Sequence, residues 1–231
     1  MTVGTLPVPA HTAQPGERTL FLRRTYVHLA CAILAVVSLD ALLFHSPAAR
    51  TLAHRMTDGY NWLLTLAAFM GVSSVANRWA RSSSSVSRQY LSLTLAVVAQ
   101  SLLFLPLLLG VAAQGLSDVL ASSCVITLLL VAGLTFVAVT TRGDFSILRS
   151  VLTFGGFLAL GLIIASILFG FSLGLGFSLA MVAFAAGAIL YNTSNVLRSF
   201  RTDQHVAAAL TLFASISLLF WYVVRSLGFR R

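Results

Sequence analysis

The sequence contains no lysine, and its six acidic residues face fifteen arginines, giving a formal net charge of +9 over 231 residues. Without a lysine amine there can be no retinal Schiff base, so a light-driven seven-helix protein is excluded. Cysteine is scarce as well. The two present, Cys31 and Cys124, both fall inside apolar runs, where buried thiols are expected and a disulfide is not. Charge of either sign is low: charged residues make up 9%, against roughly 25% in a soluble domain. Hydrophobic residues make up 58% and the mean hydropathy is +0.93. So few charges cannot cover a water-soluble surface, and the chain reads as a polytopic membrane protein. The positive balance does not point to nucleic acid, because no folded soluble unit offers a basic face. The arginines stand in short clusters between apolar runs, as in loops held at phosphate headgroups.

Catalytic and ligand-binding signatures are also missing. There is no H-E-x-x-H, no phosphate-binding glycine loop and no Cys/His ligand spacing, so neither a metal nor a cofactor is expected. Gly170-Phe171-Ser172-Leu173-Gly174 fits the G-x-S-x-G pattern of serine hydrolases. That pattern works only on a strand-to-helix elbow with a histidine base in reach. Here it joins two apolar runs, where the glycines are expected to allow a tight turn or a close helix contact. No enzymatic activity is expected.

What the chain does have is a series of apolar segments. Residues 1–20 are rich in Pro, Thr and Ala and read as a flexible tail, and residues 21–228 read as one transmembrane domain. The spans are expected at Tyr26–Phe44, Tyr60–Ala76, Leu91–Ala113, Asp118–Thr140, Ser150–Phe169, Leu175–Ser194 and Val206–Arg225. Each approaches the ~20 residues that cross a ~30 Å hydrocarbon core. The expectation is therefore an all-α, seven-helix membrane bundle. Treating the Gly170–Gly174 turn as part of a re-entrant segment would reduce the count to six. Ser82–Ser85 reads as an exposed loop, and Ser117 or Asp118 as a helix N-cap. With seven spans, ten arginines fall on the side of the N-terminus and five on the other, which orients the N-terminus toward the cytoplasm.

Polar residues inside these segments are the candidate functional groups. Asp40 is the one acid clearly within a span, and an intramembrane carboxylate is a functional hypothesis by default. Two readings stay open for it: a helix-end ion pair with Arg50 or Arg55, and a cavity-facing site. Gln100 and Pro106 share the third span, where proline bends the helix and frees a carbonyl. The sixth span ends in the polar cluster Tyr191 to Asn195. In the last span Thr211, Ser215 and Tyr222 recur at spacings of four and seven, which places them on one helical face. Asp203 precedes the last span and reads as its N-cap, with gating beside Arg198 and Arg201 as the second reading, and His205 reads as a lone interfacial side chain.

Tyr191-Asn192-Thr193, Asp203-Gln204-His205-Val206-Ala207-Ala208-Ala209-Leu210, and the loop Arg142-Gly143-Asp144-Phe145-Ser146 followed by Gly156 to Ile163 resemble the Bax inhibitor-1 family, in particular its bacterial YccA-like members. Arg24-Thr25-Tyr26 resembles the start of that family's first helix. The resemblance implies a seven-helix bundle with the last helix at its centre. In calcium-leaking members of that family, an acid in the sixth helix and another in the seventh share a proton and gate a pore. Matching the motifs puts those positions at Asn192 and Ser215, neither of which titrates, so the acidic pair is absent. Two functions follow from the resemblance. One is a cation leak, calcium included, along a path lined by Asp40, Gln100, Asn192, Thr211 and Ser215. The other is a non-conducting modulator of a membrane protease or of membrane-protein quality control, acting through the tail and arginine loops. The expected partners are the lipid bilayer, cations and such a membrane protein, and the expected location is a bacterial inner membrane.

Overall fold

The structure is a computed structural model that describes residues 9–10, 12–81, 86–141 and 145–229. The Ser82–Ser85 run, Arg142 to Asp144 and most of the 1–20 tail's first half lie outside the described residues. Among the described residues there are eight helices. They are α1 (Pro15–His45), α2 (Pro47–Thr57), α3 (Asn61–Ala80), α4 (Val86–Ala113), α5 (Ser117–Thr140), α6 (Ser146–Phe169), α7 (Leu175–Arg198) and α8 (His205–Gly228).

The helix boundaries follow from local chemistry. α1 opens on Pro15, whose fixed φ suits a first helical position, and has Glu17 in its first turn. It therefore starts inside the stretch read as a tail. Ser46 then takes an extended conformation, and Pro47 restarts the chain as α2. The Ser46 hydroxyl accepts a hydrogen bond from the Ala49 N–H at 3.4 Å. Gly170 closes α6 at φ 71°, a left-handed conformation that glycine adopts without a Cβ penalty. The G-x-S-x-G stretch is thus the turn between α6 and α7.

Among the described residues six helices are long and apolar enough to cross a membrane: α1 and most or all of α4, α5, α6, α7 and α8. The seven-span expectation differs at α3, not at the Gly170–Gly174 turn. α3 has 20 residues, enough for ~30 Å of rise, but Asn61, Thr65, Ser73, Ser74, Asn77 and Arg78 dilute its hydropathy. α2, at 11 residues, is too short to cross.

The layering follows from which faces are buried. In α8, 67% of the most apolar stretch is buried, against 6–39% in the other five spans, so α8 is the axis of the bundle. It packs against α1, α3, α4, α5 and α7, while α6 leans chiefly on α7. On α1 the buried residues Phe21, Thr25, Leu29, Ala32, Val36 and Asp40 recur every three or four positions, the single inward stripe of a helix whose other faces meet lipid. The main core joins this stripe to Val206–Leu210, Leu212 and Phe213 of α8, and to Leu93, Val97 and Phe104 of α4. Cys31 and Cys124 are free thiols, but both are exposed on their helices, not buried. In a span that is apolar all round, sequence does not distinguish the inward face from the lipid face.

Candidate functional site

The six residues singled out in the sequence fall into three groups. The first is on the axis. Asn192 of α7 donates from Nδ2 to Ser215 Oγ of α8 at 2.7 Å. The Ser215 hydroxyl donates in turn to the Thr211 carbonyl at 3.1 Å, and the Thr211 hydroxyl to the Ala207 carbonyl at 2.9 Å. Ser215 is buried at 5% exposure, and Asn192 is half-buried. Every group in this chain is neutral. It ties α7 to α8 by one interhelical bond, and such bonds contribute about 1 kcal/mol within membranes.

The second group sits toward the other end of α1. Asp40 is the last residue of the buried stripe, 7% exposed, and Gln100 and Ser101 of α4 are 6% and 0% exposed. The Ser101 hydroxyl lies within interaction reach of the Asp40 carboxyl, yet neither Asp40 Oδ1 nor Ser101 Oγ has a hydrogen-bond partner of good geometry. The ion-pair reading of Asp40 is not met. Arg50 instead donates from Nε to the Phe44 carbonyl at 3.1 Å and lies over the Phe44 ring at 6.0 Å. Above Asp40 a cavity of about 430 Å³ opens between α1, α2 and α4, with Phe44, Arg50, His54 and Pro106 among its walls. Phe44 is one helical turn beyond Asp40, and Pro106 little more than one turn beyond Ser101, so the two buried groups lie beneath this cavity.

The third group forms the side of the bundle where the N-terminus lies. Asp203 does not cap α8. Gln204 holds the N-cap position and makes no side-chain cap bond. Asp203 binds Arg201 instead, Nε to Oδ1 and Nη2 to Oδ2, both at 3.2 Å. The chain turns one residue later than the motif implies, and the carboxylate meets a guanidinium before it can reach the helix end. Likewise Leu116, not Ser117 or Asp118, holds the N-cap position of α5. On the same side Pro9 and Arg201 form an isolated bridge. The Ala10 N–H donates to the Phe200 carbonyl at 2.8 Å, and the Arg81 guanidinium lies over the Phe200 ring at 5.6 Å. The residues just before α1, the end of α3 and the α7–α8 turn are thus joined in one surface. His205 is not alone there: its ring centroid lies 5.0 Å from that of His28.

The sequence profile of the family described as Inhibitor of apoptosis-promoting Bax1 matches residues 18–231, nearly the whole chain. The chain belongs to the Bax inhibitor-1 family. A curated relative, the uncharacterized protein PA2604 of Pseudomonas aeruginosa, is 33% identical over 112 residues, which is 48% of this chain and 50% of the relative. The chain therefore matches about half the length of that relative. As a Bax inhibitor-1 family member, this is a multi-pass membrane protein built around its last helix, α8. The axial bond between Asn192 and Ser215 occupies the positions at which the family resemblance places an acidic pair.

Sequence reasoning did not find Tyr90 or the neighbourhood of His28 and His205. A usable signal existed for the last: both histidines stand at span ends assigned to the same side of the membrane.

Proposed function

We propose that this Bax inhibitor-1 family member is a non-conducting protein that modulates a membrane-embedded protease or a related quality-control assembly. The observation that carries the reading is the 2.7 Å bond from Asn192 to Ser215. A neutral bond at the centre of the bundle neither attracts a divalent cation, which wants carboxylate oxygens, nor opens by sharing a proton. What remains to do work is the N-terminal face, where Arg81, Phe200, Arg201 and the segment at Pro9–Ala10 are held together. The arginine distribution favours a cytoplasmic position for this face. The test is reconstitution with a membrane-embedded ATP-dependent protease and a membrane-protein substrate. Wild-type protein slows substrate turnover. Arg81→Ala/Arg201→Ala relieves the effect, and Arg225→Ala on the opposite side does not. Unchanged turnover with wild-type protein overturns the proposal.

One observation favours a second reading, the cation leak. Asp40 is buried beneath a cavity with one carboxylate oxygen unpartnered, and an intramembrane carboxylate in that state suits a cation path. This reading requires flux that is lost in Asp40→Asn. Against it, the contacts that join Asn192, Ser215 and Thr211 do not reach Asp40 or Gln100, and Arg50 and His54 line the cavity above.

A further inference from the structure

The middle of α1 and the N-terminal ends of α4 and α8 bring together His28, Tyr90 and His205. His28 Nδ1 lies 2.7 Å from the Arg24 carbonyl oxygen. A carbonyl only accepts, so Nδ1 carries the hydrogen, and neutral His28 holds its lone pair on Nε2. That nitrogen is 3.1 Å from the Tyr90 hydroxyl, which donates to it. The rings of Tyr90 and His205 lie 5.4 Å and 5.0 Å from the His28 ring, centroid to centroid. His205 Nδ1 is buried and has no hydrogen-bond partner.

We infer that His28 and His205, with Tyr90 beside them, form a binding site for a divalent first-row transition metal such as Zn2+ or Cu2+. The tautomer of His28 is the one a ligating histidine needs, with its far N–H fixed on a backbone carbonyl and the lone pair of its other nitrogen, which here accepts from the Tyr90 hydroxyl, directed away from that carbonyl and able to coordinate once the hydroxyl gives way. Two imidazoles on one tetrahedral ion, each at about 2.0–2.1 Å, have ring centres about 5 Å apart, which matches the 5.0 Å found. The ligand type selects the metal. Imidazole suits zinc, copper and nickel, whereas calcium and magnesium need oxygen donors. Among the described residues no group of three or more His, Cys, Asp or Glu side chains occurs. The protein therefore supplies two nitrogens, the Tyr90 oxygen stands at a third position, and water completes the shell. Arg24 and Asp203 are the charged groups that act on His205. The Arg24 cation opposes a metal, and the Asp203 carboxylate favours it while also bound to Arg201. The site does not rest on the protease reading. Its consequence is structural: one ion would clamp three helices, α1, α4 and α8, at points far apart in sequence.

The test is isothermal titration of the untagged full-length protein in detergent with ZnCl2, and separately with CuCl2 followed by electron paramagnetic resonance. The expected result is one ion per chain, with hyperfine splitting from two imidazole nitrogens in the copper spectrum. His28→Gln and His205→Gln each weaken binding by at least ~10–100-fold, the range seen when even an outer-shell partner is lost. The double variant loses the site, while melting without metal shows that each variant is folded. Tyr90→Phe keeps both nitrogens in the spectrum. Equal binding by wild type and the double variant, or no binding by folded wild type, overturns the assignment.

Discussion

The bond from Asn192 to Ser215 lends itself to a double-mutant cycle. Its two ends are unequal. Ser215 Oγ also donates to the Thr211 carbonyl, so in Asn192→Ala the serine keeps a partner. The loss is then the interhelical bond and the amide's contacts, about 1 kcal/mol. In Ser215→Ala the donor Nδ2 loses its acceptor between two packed helices, which costs about 1–3 kcal/mol. If the pair is the axial tie described above, the coupling energy lies near the membrane average of about 0.6 kcal/mol and below about 1.7 kcal/mol. The assay is reversible unfolding in mixed detergent and dodecyl sulfate micelles, followed by circular dichroism, on wild type, both single variants and the double variant. A coupling energy indistinguishable from zero would mean that the two side chains do not hold α7 to α8, and the reasoning about a neutral lock would fail.

Three further outcomes follow from the same structure. Asp40→Asn removes a buried carboxylate with no arginine on it, so it should stabilise the protein by about 1–3 kcal/mol; a lower stability in the same unfolding assay would mean that Asp40 has a favourable charged partner. A Cβ at Gly155 would lie 3.1 Å from Phe184 Cε2, so Gly155→Leu should force α6 away from α7 and cost about 1–3 kcal/mol; recovery in the Gly155→Leu/Phe184→Ala pair checks that the ring is the obstacle. The Arg201–Asp203 pair is partly exposed, at 43% and 32%, so Asp203→Asn should change stability by less than about 1 kcal/mol; a larger loss would restore a helix-capping role to Asp203.

Much of the architecture was legible before any coordinates. Long apolar runs separated by arginines specify membrane helices by length and hydropathy alone, and the motif around Tyr191 to Leu210 placed the last helix at the centre and Asn192 opposite Ser215. Other features needed the structure because membrane segments hide them. In helices that are apolar on every face, nothing in the sequence told that Cys31 and Cys124 face outward. α3 fell short of the hydropathy of the other long helices because small polar residues, harmless to helix formation, are spread along it. Asp203 was misread by one residue of chain path, and Arg201 was close enough in that path to capture it. The meeting of His28, Tyr90 and His205 depends on the ends of α4 and α8 converging on the middle of α1, which no local pattern encodes.

The most direct test of the closed, neutral axis is Ca2+ uptake into proteoliposomes across about pH 6 to about pH 8, a window in which two carboxylates sharing a site can titrate. Wild type should carry no more Ca2+ than protein-free vesicles at any pH. In Asn192→Asp/Ser215→Asp the pair shares one proton at low pH and holds. As pH rises through the raised value both acids ionise and repel, α7 and α8 loosen, and uptake becomes pH-dependent. Wild-type uptake above the protein-free level, abolished by Asp40→Asn, would contradict the account and establish the leak instead.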